Sequence, residues 1–302
     1  MKAKYVNPFT DFGFKKIFAE EASKPLLLDF LNSLLPSINK IKDLSFKNTE
    51  HLGQTEMDRK SLFDIYCEAE NGEKFIVELQ KAKQNFFKDR SVYYSTFPIR
   101  EQAEKGEWNY NLKAVFFIGI LDFTFDDYTN DAEKKSVVHT IKLKNQAGKT
   151  FYDKLTYIYL EMPNFSKSES ELETQLDKWL FFIKHLEDFQ NIPVVFQKEN
   201  IFSQAFDKAT LAKLNNNEWE SYEASLKEYR DIKGFIDTAY MEGEIGGIIK
   251  GKLEGKLEGI NEGEYLRSIK IAKKMILAGE PIEKIMEYTS LTLIEIEKLM
   301  DV

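Results

Sequence analysis

Two short runs of alternating apolar and polar residues flank Asn71-Gly72 and frame the rest of the chain. In the first, Phe63, Ile65 and Cys67 alternate with Asp64, Tyr66 and Glu68. In the second, Phe75, Val77 and Leu79 alternate with Lys74, Ile76, Glu78 and Gln80. A period of two marks a half-buried strand, so LFDIYCEAENGEKFIVELQKAK predicts a β-hairpin. Residues directly opposite in an antiparallel pair share a face. With both apolar sets on the core, opposite residues have an even index sum, as Ile65 with Val77. Asp64 then shares a face with Glu78 and Gln80. A strict two-residue turn at Asn71-Gly72 gives an odd sum and separates them. The expectation is a three- or five-residue loop, or a bulge, although Asn-Gly favours the tighter turn.

Upstream, Phe14, Ile17 and Phe18 recur at helical spacing in DFGFKKIFAE. Thr10 is placed to cap that helix, and Asp11 stands near the positive end of its dipole. Ser23 and Pro25 signal the start of an apolar helix, PLLLDFLNSLL, that Pro36 ends. Lys42–Lys47 reads as a first strand and Asn48–Lys60 as a polar loop. Downstream, Phe87, Arg90, Tyr93, Tyr94 and Phe97 predict a helix with a kink at Pro98 and an end at Gly106. Lys113–Phe123 is nearly all apolar and reads as a central strand covered on both faces. Val137–Leu143 and Lys154–Glu161 read as strands, and Ser168–Leu186 as an amphipathic helix carrying Trp179. Ile201–Ile236 is helical in pattern, with a break at Asn215–Asn217. This order predicts an α/β fold: a mixed sheet flanked by helices, with a helical C-terminal tail.

In the tail, Gly243, Gly247, Gly251, Gly255, Gly259 and Gly263 recur at every fourth position, with Ile245, Ile249, Leu253 and Leu257 at the same step. Each glycine costs a helix roughly 1 kcal/mol against alanine, so the six cost on the order of 6 kcal/mol. A helical linker and a stalk joining copies of the chain into a homo-oligomer fit this pattern equally. The closing segment reads as three short helices divided at Gly279-Pro281 and near Thr289-Ser290. Its last helix carries Glu295 and Glu297 beside Lys298, too acidic for a major-groove reader, and suits a capping or partner-binding module. The organisation expected is a domain over 1–236, the glycine-rich helix over 237–265 and a helical module over 266–302.

Composition narrows the class. With 43% hydrophobic residues the chain can bury a full core without staples. One cysteine, Cys67, excludes a disulfide framework within the chain and suits a reducing cytoplasm. The three histidines are scattered, so no zinc spacing exists. The longest clean apolar run, Val115–Leu121, is too short to span a bilayer, so no membrane partner is expected, and the N-terminus lacks a signal-peptide core. A net charge of −8 argues against coating nucleic acid through bulk charge but allows a local basic rim.

The chemistry rests on Asp64, Glu78 and Gln80. Hard cations prefer oxygen ligands, and two carboxylates on neighbouring strands can hold one against a phosphate. Such acids are more commonly the polar side of a half-buried strand, and the residues alone leave both readings open. The D-(x)n-E-x-Q hairpin, after NPFTDFGFKKIF and before DRSVYYSTFPIREQAEKGEWNYNLKAVFFIGILDF, resembles the PD-(D/E)XK nuclease superfamily. With the Gly-Glu tail, it is similar to the Rpn-type recombination-promoting nucleases, also called PD-(D/E)XK nuclease family transposases. The resemblance spans nearly the whole chain. It implies a restriction-endonuclease-like fold, DNA as partner and a metal-dependent endonuclease linked to recombination or mobile elements. It implies Mg²⁺ or Mn²⁺ on Asp64 and Glu78, with Asp11 or another acid of the first helix completing the site. Gln80 stands where many superfamily members carry lysine. Strand parity turns Lys81 and Lys83 away unless the strand ends at Gln80. Arg90, Tyr94 and Arg100 are expected to contact the DNA backbone; a tyrosine in the core and arginines at the surface fit the pattern equally. A nuclease fold that has lost cutting and acts in binding or assembly is the alternative.

Overall fold

The computed structural model describes residues 3–36, 40–47, 63–104 and 106–300. Two helices, α1 (Asp11–Phe18) and α2 (Lys24–Leu34), precede three strands, β1 (Leu44–Phe46), β2 (Ile65–Ala69) and β3 (Lys74–Gln80). Then come α3 (Phe87–Arg100), β4 (Val115–Leu121), the short α4 (Asp131–Lys134), β5 (Val138–Lys144) and β6 (Thr150–Glu161). The chain continues through α5 (Gln175–His185), α6 (Asn200–Lys208), α7 (Asn216–Leu277), α8 (Ile282–Thr289) and α9 (Leu293–Met300). The loop expected over 48–60 lies outside the described residues.

The hairpin has the even-sum register. Ile65 pairs with Val77 and Cys67 with Phe75. The Ala69 N–H donates to Glu73 O at 2.8 Å and the Gly72 N–H to Ala69 O at 2.9 Å, leaving Glu70, Asn71 and Gly72 as a three-residue loop. Gly72 has φ +85°, the left-handed conformation that closes such a loop and that a side chain disfavours.

The strands form one sheet in the order β1-β2-β3-β4-β6-β5. β3, β4 and β6 run parallel to one another, and the remaining pairs are antiparallel. One expectation needs correcting. β3 alternates as a half-buried strand, yet all its residues are buried. Ile65, Phe75 and Val77 join the large core that α1, α2, α5 and α6 cover. Tyr66 and Ile76 point the other way, into a second core with Phe87 and Phe97 of α3 and Phe117 of β4. The tyrosines and phenylalanines of that face are bulky enough to hide the charged positions interleaved with them.

Other elements shift modestly. Ser23 sits at the N-cap of α2 without capping it, its hydroxyl donating to Lys16 O instead. α3 ends at Arg100, ahead of Gly106. The helix around Trp179 begins at Gln175, where Thr174 and Asp177 form a capping box. Trp179 is fully buried against Phe18, Phe30 and Phe202, and its indole N–H donates to Asp29 Oδ2 at 2.7 Å. Trp179→Ala should therefore cost about 3–5 kcal/mol, read as a lower urea midpoint.

The chain divides into two compact units, Met1–Gly234 and Phe235–Val302. In the second, the glycine-rich segment and the first of the expected closing helices run on as one helix within α7. No proline interrupts Asn216–Leu277, and the stop comes only at Gly279 and Pro281. Ile245, Ile249, Leu253 and Leu257 are exposed along it. Ala272, Ile285, Leu291 and Ile296 form this unit's own small core. Among the described residues no helix is long and apolar enough to cross a membrane.

Candidate active site

The site begins with the turn that holds α1. The Asn7 side chain accepts from the Phe9 N–H at 2.8 Å, while its backbone N–H donates to Tyr222 Oη at 3.0 Å. Thr10 Oγ1 donates to Asn7 O at 2.7 Å and accepts the Gly13 N–H at 3.0 Å, so the expected cap is present. Gly13 packs against this turn so closely that a Cβ there would lie 2.1 Å from Asn7 O. The NPFTDFG segment thus locks the start of α1, and with it Asp11 and Lys15.

Asp64 stands immediately before β2, one residue ahead of the Ile65–Val77 pair, and lines the same cleft as Glu78. The Leu79 N–H donates to its Oδ2 at 2.7 Å. Glu78 is 8% exposed, and its Oε1 is buried with no hydrogen-bond partner among the described residues. Burial, then the neighbouring Asp64 charge, push the Glu78 pKa well above the usual glutamate range, against the pull of Arg90 and Lys15. Burial also raises Asp64, opposed by the Leu79 N–H, Lys15 and Lys81. At both acids burial outweighs the nearby cations, and at Glu78 the Asp64 charge adds to it.

Gln80 is fixed at both ends of its amide. Its Nε2 donates to Ala82 O at 2.8 Å, and its Oε1 accepts from Arg90 Nη2. Arg90 Nη1 donates to Gln84 Oε1 at 2.7 Å, and the guanidinium lies over the Phe87 and Tyr94 rings. Arg90 and Tyr94 reach this end of the sheet because α3 packs on the face that carries Glu78 and Gln80.

These side chains line a cleft of ≈ 350 Å³ together with Asp11, Lys15, Lys81 and Glu228. Asp64, Glu78, Gln80, Asp11, Arg90 and Tyr94 are thereby brought together. Arg100 is not: it lies over Phe97, ten residues or about 15 Å of helix from Arg90. Asp11 lines the cleft, but its Oδ1 is paired with Lys15 Nζ at 2.8 Å. Among the described residues no group of three or more His, Cys, Asp or Glu could hold a metal ion. Asp64, Glu78 and Asp11 are the acids of the first helix and the hairpin that line the cleft.

β3 does end at Gln80, so parity no longer binds Lys81, and its side chain turns into the cleft 3.6 Å from Glu228 Oε1. Lys83 pairs with Asp126 outside this cleft. Lys15 was not anticipated. Its signal was the Asp11–Lys15 step of four, which puts both residues on one helix face. Burial pulls the Lys15 pKa down, but Asp11, Asp64 and Glu78 outweigh it and hold the ammonium above its usual value.

A mixed sheet with helices on both faces, and an acid pair at the end of its central hairpin, defines a restriction-endonuclease-like nuclease fold. A model of the PD-(D/E)XK nuclease family transposases matches residues 8–239, more than three quarters of the chain. The chain belongs to that family, a nuclease family tied to mobile elements. No curated protein and no solved structure matches it.

Proposed function

We propose that this protein is a divalent-metal-dependent DNA endonuclease acting in recombination or mobile-element movement. The observation that carries the reading is the buried, unpartnered Glu78 Oε1 beside Asp64 at the head of a polar cleft. An all-oxygen donor set with excess negative charge fits a hard cation such as Mg²⁺ or Mn²⁺, and Asp64 and Glu78 would hold it. When bound, such an ion neutralises the pair, polarises a phosphate and lowers the pKa of a bound water.

The chain's own groups do the positioning. Arg90 and Tyr94 form the wall along which a phosphodiester backbone lies. Gln80 holds Arg90 in place and can accept a hydrogen bond from the attacking water. In the hydrolysis, the water oxygen joins phosphorus as one P–O ester bond breaks. One water proton ends on the released hydroxyl and the other on the phosphate monoester. Arg90→Ala removes a guanidinium aimed at the cleft, and the expected loss is about 10²-fold in cleavage.

The test is plasmid nicking with Mg²⁺ or Mn²⁺, comparing wild type, Asp64→Asn and a chelator control. Nicking that is lost in both controls supports the reading. Equal nicking by Asp64→Asn rejects this acid pair. A fold retained for binding alone would instead give salt-dependent DNA binding with no cutting in either ion.

A further inference from the structure

Gln80 carries no charge, so the cation that faces the phosphate must come from elsewhere in the cleft. Among the described residues three that line it are cationic: Lys15, Lys81 and Arg90. They differ in what already occupies their donors. The Arg90 guanidinium is spread across two amide oxygens, those of Gln80 and Gln84. Lys81 leans towards Glu228, on the α7 wall of the cleft. Among the described residues Lys15 is held by Asp11 through a single contact at 2.8 Å, which leaves two of its three ammonium donors uncommitted there. Its field reaches both Asp64 and Glu78. It stands on α1, whose first turn is locked by Thr10 and Gly13. A charge that must meet a reacting phosphate needs such a rigid mount.

Resting on the nuclease reading above, we infer that Lys15 is a catalytic residue of this site. Its ammonium contacts the scissile phosphate and stabilises the negative charge that builds on the non-bridging oxygens as water attacks. It transfers no proton; the bonds made and broken are those of the hydrolysis already given. Asp11 is then a positioning residue. It keeps the Lys15 chain extended toward the acid pair and is not a ligand of the ion. The lysine expected after the second acid in the strand has its counterpart on a helix from the opposite core face.

The two assignments of Asp11 predict different outcomes. Four full-length proteins are compared with wild type: Lys15→Met, Lys15→Arg, Asp11→Asn and Glu78→Gln. Each is assayed for plasmid nicking and for the rise in melting temperature on adding Mn²⁺ without DNA. Lys15→Met should lose about 10²–10³-fold in kcat, with the Mn²⁺-induced rise intact, because the ion's ligands are untouched. Lys15→Arg keeps a positive charge and should recover part of the loss, which a purely structural lysine would not require. Asp11→Asn should lose about 10-fold and keep its Mn²⁺ response. Glu78→Gln should lose both.

Lys15→Met with wild-type turnover overturns the inference and leaves the nuclease reading standing. Asp11→Asn without a Mn²⁺ response makes Asp11 a ligand and overturns its positioning role. A wild type that neither nicks nor responds to Mn²⁺ overturns the nuclease reading, and the inference with it.

Discussion

Glu78→Gln should abolish cleavage and at the same time make the metal-free protein more stable. Even groups that only support a metal ligand are worth about 10–100-fold when removed, so loss of a ligand should exceed roughly 100-fold. The stability gain has the opposite sign for a physical reason. Glu78 is buried beside Asp64 with one oxygen unpartnered, and its pKa is raised by burial and by that neighbour. An acid raised in the folded state contributes stability while protonated and loses it as pH climbs towards the raised value. The mutant's advantage should therefore be small near pH 4.5, the ordinary glutamate value, and grow towards alkaline pH. An uncompensated buried group costs on the order of 1–3 kcal/mol, and for a domain of this size each kcal/mol shifts the melting temperature by about 2–4 °C. Saturating Mg²⁺ or Mn²⁺ should reverse the order, since an ion at 100 times its Kd adds about 2.7 kcal/mol to the wild type alone. Thermal melts at several pH values, with and without the ion, give the whole pattern. A mutant less stable than wild type at pH 8 without metal would show that the acid pair is compensated in another way.

Gly13→Ala should be the most damaging glycine-to-alanine change among the described residues. The new Cβ would sit 2.1 Å from Asn7 O and 2.7 Å from Thr10 Oγ1. Neither partner can easily retreat. Asn7 is tied through its backbone to Tyr222 and through its side chain to Glu187, at 3.0 and 2.5 Å. Overpacking costs about 1–3 kcal/mol, and loss of the Thr10 cap adds about 1 kcal/mol. α1 must move, and Asp11 and Lys15 move with it. A displacement of about 1 Å in catalytic geometry can cost on the order of 100-fold in rate. Thr10→Ala provides the calibration: it should cost the cap alone and leave most activity. Equal melting temperatures for Gly13→Ala and wild type would mean that the turn yields freely.

The pairing of β2 with β3 follows from a parity argument, because the two are adjacent in sequence and the apolar positions from Ile65 onward leave one register; it brings Asp64, just ahead of β2, into the same cleft as Glu78. The cap at Thr10 was legible for the same reason, since its partners lie within six residues. The burial of Glu78 was not legible. It depends on α3 folding back over the strand, with Phe87 and Phe97 supplying a second core that a local pattern does not reveal. Nor was the approach of Lys15, which reaches the acids across the sheet end from a segment about fifty residues away. Arg100 lies apart from the cleft for a simpler reason. Sequence proximity to the hairpin placed it with Arg90, but the rise of α3 carries it away from the cleft.

The three-residue loop at Glu70–Gly72 also limits how this protein can change over evolutionary time. Surface loops ordinarily tolerate insertions and deletions well, and this one is a surface loop by any local measure. Yet the alternation of β2 and β3 is counted through it. Removing one residue leaves the two-residue turn that Asn-Gly favours, and every side chain of one strand changes face relative to the other. Asp64 would then oppose the sheet from Glu78, and Ile65 and Val77 would no longer share a core. Indels at this loop should therefore survive selection only in steps of two. Its length is as much a part of the site as the two acids it keeps on one side.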